Sequence, residues 1–194
     1  MNQNVIDNET QEKLDAFIKQ EEGDSNDYKG LLAKFITLVA VGMSLFHLYA
    51  AYSIVPTQEL RVIHVALVLF LVFLSFPIAA RFKNRLMPWD IVFAVASVAI
   101  AYYILSGGDD FMDRNTAPNT TDVMVGIALI LLILESVRRT NGMILVTVTV
   151  LFLLYALFGN HLPAPWTHKG YDLDRLVGYM YMTCLLYTSP SPRD

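Results

Sequence analysis

The chain is short of cysteine and of charge. One cysteine, Cys184, stands among 194 residues, which allows neither an internal disulfide nor a cysteine metal cluster. Only 16% of the residues are charged and 55% are hydrophobic, against roughly 25% and about 45–50% in soluble domains. A soluble core of this size would leave much of that apolar surface facing water, so the composition weighs against soluble-enzyme and disordered classes alike. The net charge of -4 supplies no basic footprint for a polyanion, and nucleic acid is not an expected partner. Catalytic signatures are missing as well. There is no GxxxxGK[ST] to cradle phosphates, no HExxH, no close histidine–cysteine cluster and no nucleophile elbow. Asp109, Asp110 and Asp113 lack the spacing and turn of a calcium loop and read as a solvated loop. No enzyme, cofactor or metal is expected, and the bulk numbers point to a membrane protein.

The two ends differ from the middle. Residues 1–30 hold eight acidic residues and three lysines, with one amphipathic patch at Leu14, Phe17 and Ile18. Such a segment reads as a solvated acidic tail with one or two helical turns starting near Asn8 or Thr10. It lacks the basic start, short apolar core and small-residue cleavage site of a secretory signal, so the first apolar run is expected to be retained. Residues 184–194 (Cys-Leu-Leu-Tyr-Thr-Ser-Pro-Ser-Pro-Arg-Asp) back-translate without strain to a string resembling the adaptor of a transposase-based sequencing library. The expectation is a native sequence that is cut near Thr183 and followed by an artefact. The alternative is a genuine Pro/Ser-rich terminus.

The middle holds the apolar runs. A hydrocarbon core of about 30 Å needs about 20 apolar residues. Residues 35–54, 62–80, 89–105, 123–137 and 143–159 are the candidate spans. The fourth is the shortest, about 22 Å if it is regular helix. Pro77 late in the second is expected to kink it. The expected fold is therefore all-α, a polytopic integral-membrane helical bundle of about five transmembrane helices. Nine of the fourteen Lys and Arg (Lys13, Lys19, Lys29, Lys34, Arg81, Lys83, Arg85, Arg138 and Arg139) fall on one side of five alternating spans. The positive-inside rule makes that side cytoplasmic, together with the N-terminus, and puts the end after Gly159 outside. Trp89, Tyr102, Tyr103 and Trp166 suit interfacial anchoring. Residues 161–183 read as an external loop and an amphipathic connector, in which Asp172 caps a helix with Leu173, Leu176, Val177 and Met180 on one face.

Ionisable groups inside spans are costly and become the functional candidates. His47, near the middle of the first span, has a proton or ligand role as one reading and a hydrogen bond to a neighbouring helix as the other. His64 lies a turn inside the second span and can reach the interface. On this topology the two sit at different depths, which strains an axial pair for haem. Asp90 reads as a first-turn residue favoured by the helix dipole. Glu135 is three and four residues before Arg138 and Arg139, so one helical face can bring carboxylate and guanidinium together. Such a pair fixes the turn into the fifth span or locks the unit to a partner domain. An ordinary snorkelling residue and an ion-coupling group are its other readings.

Three segments in order carry a family resemblance. Residues 129–142 read Leu-Ile-Leu-Leu-Ile-Leu-Glu-Ser-Val-Arg-Arg-Thr-Asn-Gly, and residues 151–163 read Leu-Phe-Leu-Leu-Tyr-Ala-Leu-Phe-Gly-Asn-His-Leu-Pro. Residues 168–183 read His-Lys-Gly-Tyr-Asp-Leu-Asp-Arg-Leu-Val-Gly-Tyr-Met-Tyr-Met-Thr. The succession resembles the N-terminal membrane region of fused permeases of TRAP (tripartite ATP-independent periplasmic) transporters, closest to the TAXI type, over about residues 31–183. The resemblance implies a secondary transporter of the bacterial inner membrane, driven by an ion gradient, usually sodium. Its solute, an organic acid or amino-acid-like anion, is delivered by a periplasmic TAXI-type binding protein. Solute and sodium sites of the family lie in a large transport domain of the same polypeptide, so none is carried onto this chain. Glu135, Arg138, Arg139, Gly170 and Tyr171 are carried as structural parts of the smaller unit. A membrane anchor or sensor module of a signalling protein and a small haem-carrying subunit are the alternatives.

Overall fold

The computed structural model describes residues 10, 11, 14, 25–114 and 118–178. The adaptor-like tail, Met180 of the connector and most of the acidic segment lie outside the described residues, although Thr10, Gln11 and Leu14 are helical. The elements are α1 (Leu31–Tyr52), α2 (Thr57–Ser75), α3 (Pro88–Asp113), α4 (Thr120–Asn141), α5 (Met143–Phe158) and α6 (Leu173–Val177). Short 3₁₀ turns lie at Ala80–Phe82 and Gly159–His161. Among the described residues there is no strand, and five helices are long and apolar enough to cross a membrane. The chain is an all-helical membrane protein.

Local chemistry sets the helix limits, and several differ from the hydropathy pattern. Pro77 ends α2 rather than kinking it. The residue before a proline is pushed out of the helical region, and Phe76 is extended, with φ -111° and ψ 124°. The helix therefore stops at Ser75 and leaves residues 76–79 unwound. At its other end α2 begins at Thr57, well before the apolar run, because a helix tolerates Glu59 and Arg61 in its first turns. Pro88 opens α3 at a position where its missing N–H costs nothing. Gly108, with φ 49°, breaks α3 near its end. The fourth span is not short, since α4 runs 22 residues. Its first turn is closed by a reciprocal capping box between Asn119 and Asp122. The apolar count stopped at residue 137, before the arginines, whereas the helix continues through them to Asn141. Gly142, at φ 77°, is the whole connection between α4 and α5.

The core is a three-helix seam. On α2 the inward stripe is Val62, Ala66, Leu69 and Phe73, with Leu74 buried beside it. On α3 it is Asp90, Ala94, Ser97, Ala101 and Ile104, with Phe111 buried beyond the break at Gly108, and on α4 Asp122, Gly126, Leu129, Leu132, Ser136 and Arg139. Steps of three and four residues keep one stripe facing inward, as in coiled coils. Small residues at Ala94, Ser97, Ala101 and Gly126 let the backbones approach, which is how helices pack where lipid removes the hydrophobic drive. By contrast α1 packs on α2 and buries no residue, and α5 buries none either. Their outward faces are apolar, with Leu38, Leu48, Leu151 and Phe152 exposed.

Contacts between helix ends define two poles. The near end gathers residues 25–30, the unwound segment and the 3₁₀ turn, the start of α3 and the end of α4. The far end holds the end of α3 and the start of α4, joined through Asp122. It also holds the loop that folds back onto the end of α5.

Candidate functional site

The seam carries a charge at three of its ends, and two of those charges meet at the near end. Arg139, one heptad step beyond Leu132, has a side chain with 0% exposure and Asp90 one with 1%. Arg139 Nη1 donates to Asp90 Oδ1 at 2.7 Å and to the carbonyl of Phe76 at 3.0 Å. Its Nε donates to Glu135 Oε1 at 2.8 Å. The other oxygen of Asp90 accepts the backbone N–H of Met87 at 3.0 Å, so one carboxylate both caps α3 and holds the arginine of α4. Arg138 reaches the same glutamate, with Nε and Nη2 each 2.7 Å from its two oxygens, and Nη2 also donates to the carbonyl of Ile78 at 2.9 Å. The Arg139 guanidinium lies 5.1 and 5.5 Å from the ring centres of Phe73 and Phe93. Its Nη2 is buried without a hydrogen-bond partner among the described residues.

This arrangement follows from the break at Pro77. An unwound segment exposes carbonyls that a helix would have consumed. Here the carbonyls of Phe76 and Ile78 are taken up by the two arginines. Two carboxylates and two guanidiniums leave the cluster neutral, and every carboxylate has a cationic partner, the condition under which buried charge is tolerated. Residues 25–28 lie over it. The Asn26 N–H donates to the carbonyl of Ser75 at 2.7 Å, and the backbone N–H groups of Asp27 and Asn84 exchange bonds with the side chains of Asn84 and Asn26, each at 2.6 Å. Burial first, and then the negative charge of Asp90, push the Tyr28 phenol above its usual range, while a hydrogen bond from Asn26 opposes them.

At the far end Asp122, with a side chain exposed 0%, accepts from Tyr103 at 2.7 Å, from Arg114 Nε at 3.1 Å and from its own cap N–H at Asn119 at 3.0 Å. The bond to Asp122 is also the main reason that Arg114 is held above its ordinary range.

The remaining candidates stand apart from these clusters. Gly170, at φ 72°, and Tyr171 belong to the loop that caps α5. The Tyr171 N–H donates to the carbonyl of Ala156 at 3.1 Å, and His168 bridges the carbonyl of Tyr155 at 2.8 Å and the N–H of Gly170 at 2.9 Å. A Cβ on Gly159 would run into the imidazole of His168, so the loop closes only over glycine. Asp172 occupies the N-cap of α6 but makes no side-chain cap bond, and Leu173 is exposed while Val177 is buried. The connector thus presents a narrower buried face than its spacing suggested.

His47 and His64 are at one depth, not two. Because α2 starts at Thr57, His64 lies nearly two turns inside it, opposite His47 near the end of α1. Their ring centres are 4.9 Å apart, and His64 Nδ1 is 2.8 Å from His47 Nε2. Axial ligands of a haem stand on opposite sides of its iron, so directly bonded rings do not fit that group.

Sequence reasoning singled out Glu135, Arg138 and Arg139 but missed Asp90 as the partner of Arg139. It also missed Asp122 altogether. The signal was present. Extending the three–four stripe outward from the apolar residues lands on Asp90, Asp122 and Arg139 and marks them as inward-facing. No known family model, curated protein or solved structure matches this chain.

Proposed function

We propose that the chain is the N-terminal membrane scaffold of a secondary-active permease of the TRAP type. Driven by an ion gradient, most simply sodium, it imports organic-acid or amino-acid-like solutes delivered by a periplasmic TAXI-type binding protein. The observation that carries this reading is the ordered succession of the three segments within residues 129–183. The geometry supports a bracing role rather than a conducting one. The space between α2, α3 and α4 is about 10 Å³, lined by Val62, Leu69, Ser97, Ile104 and Leu129, too small for a solute. Both oxygens of Glu135 accept from arginine, which favours a structural ion pair over an ion-coupling group. The exposed apolar faces of α1 and α5 are available to lipid and to a large transport domain.

The reading places the protein in the bacterial inner membrane with the near end cytoplasmic, because Arg81, Lys83, Arg85, Arg138 and Arg139 collect there. Cysteines placed at Arg85 and at Asp110 should then react with impermeant reagent from opposite sides, and labelling from one side overturns the orientation. The function itself is tested at the source locus. A reading frame that runs on past Thr183 into further apolar spans supports the permease, whereas a soluble kinase or cyclase domain there overturns it.

A further inference from the structure

The histidine pair is used by none of the roles above. It makes the one side-chain hydrogen bond that joins α1 to another helix among the described residues. No residue of α1 is fully buried, and beside this polar contact α1 meets α2 through half-buried apolar side chains such as Phe35 on Phe70. The proton positions follow from the partners. The carbonyl of Met43 can only accept, so His47 Nδ1, at 2.7 Å from it, carries a hydrogen. In a neutral ring that leaves His47 Nε2 bare, and it must accept from His64 Nδ1–H. His64 Nε2 has no partner among the described residues, and the residue is exposed.

We propose that His47 and His64 form a site for a single proton that latches α1 to α2 and opens when a second proton binds. The first added proton fits on His64 Nε2. It makes the donor of the interhelical bond cationic, and such charge-assisted bonds are stronger than neutral ones. The second can go only to His47 Nε2, the acceptor. Two N–H groups and two positive charges then face one another across a contact of 2.8 Å, and the bond is lost. Among the described residues no carboxylate is bonded to either ring. On α1 the ring of Phe46 stands against His47, with centres 5.6 Å apart. On α2 the nearby charges are Arg61, one turn before His64, and Glu59 beyond it, and neither is ion-paired with the histidines. At this end α3 and α4 bring Arg114, Asp122 and Tyr103, which are bonded to each other, and α3 also carries Asp109, Asp110 and Asp113, of which Asp110 acts on Arg114. Protons reach the pair from the far end, since His47 is five residues from the end of α1 and His64 seven from the start of α2.

Two measurements on the full chain in nanodiscs test the site. With ¹⁵N-labelled histidine, a coupling across the hydrogen bond between His64 Nδ1 and His47 Nε2 should be seen at neutral pH and be lost on acidification. With Cys184→Ser as background, spin labels at Tyr52 and Leu105 should move apart over the same interval, and His64→Phe should hold the longer distance at both pH values. The proposal is overturned if the coupling survives acidification, if the wild-type distance is constant, or if His64→Phe keeps the same pH-dependent change. The coupling is read on the wild-type rings alone, so it decides the matter even where the variant fails to fold.

Discussion

The near end is organised around Arg139 and the far end around Asp122, each with a side chain wholly shielded from solvent. Their partners differ. Arg139 meets a carboxylate that is itself buried, Asp90, and a second one, Glu135, on its own helix. Asp122 meets an arginine with 31% of its side chain exposed, a tyrosine hydroxyl and its own helix cap. Water and side-chain motion can reorganise around Asp122 when one partner is lost. Around Arg139 they cannot, because loss of the arginine strands Asp90 in the seam. The same kind of bond is therefore expected to be worth more at the near end. What differs is the environment of the partner, not the number of contacts.

The comparison can be broken at four strengths. Arg139→Met should have the largest effect, about 3–5 kcal/mol, since it leaves a buried carboxylate without its cation. Unfolding by SDS, followed by circular dichroism, reads the loss, and Asp90→Leu added to it should recover much of the stability. A double variant no better than the single one would show that stranding is not the cause. Asp122→Asn keeps the shape and the Tyr103 contact but weakens the charge-assisted bonds, and should cost about 1.5–3 kcal/mol in the same titration. A loss equal to that of Arg139→Met would erase the distinction between the ends. Tyr103→Phe removes one neutral donor of three to Asp122 and should cost about 1 kcal/mol.

The smallest effect concerns the segment over the near-end cluster. Tyr28 has its folded value raised above the ordinary 10.0, so its contribution is present below that pH and is lost as pH rises through the higher folded value. Hydrogen exchange at Asn26 and Asp27 should quicken over that alkaline window in the wild type and much less in Tyr28→Phe. Equal exchange in the two chains would show that the segment is held by Asn84 and Ser75 alone.

Much of this was legible before the fold was known, though unevenly. Helix type and number follow from apolar runs of bilayer length, since a backbone in hydrocarbon must satisfy its own hydrogen bonds. The pairing of Glu135 with Arg138 and Arg139 is local, three and four residues apart, and periodicity predicts it. The boundaries were less legible, because hydropathy stops at the first charge whereas a helix stops where its hydrogen bonds do. Hence α4 extends through Arg138 and Arg139, and α2 ends at the residue that Pro77 forces out of the helix. The depth of His64 was misjudged for the same reason.

The sequence by itself determined that five helices of membrane-spanning length form, where prolines and glycines cut them, and that one stripe of α2, α3 and α4 turns inward. Those are properties of backbone sterics and of period, and they act within a few residues. Only the tertiary structure decided that Asp90 faces Arg139 from 49 residues away, that the carbonyls of Phe76 and Ile78 complete their site, and that His47 meets His64. Those contacts depend on how far one helix slides along another. That offset is fixed by packing small residues such as Ala94 and Gly126 against their neighbours, not by any local preference of the chain.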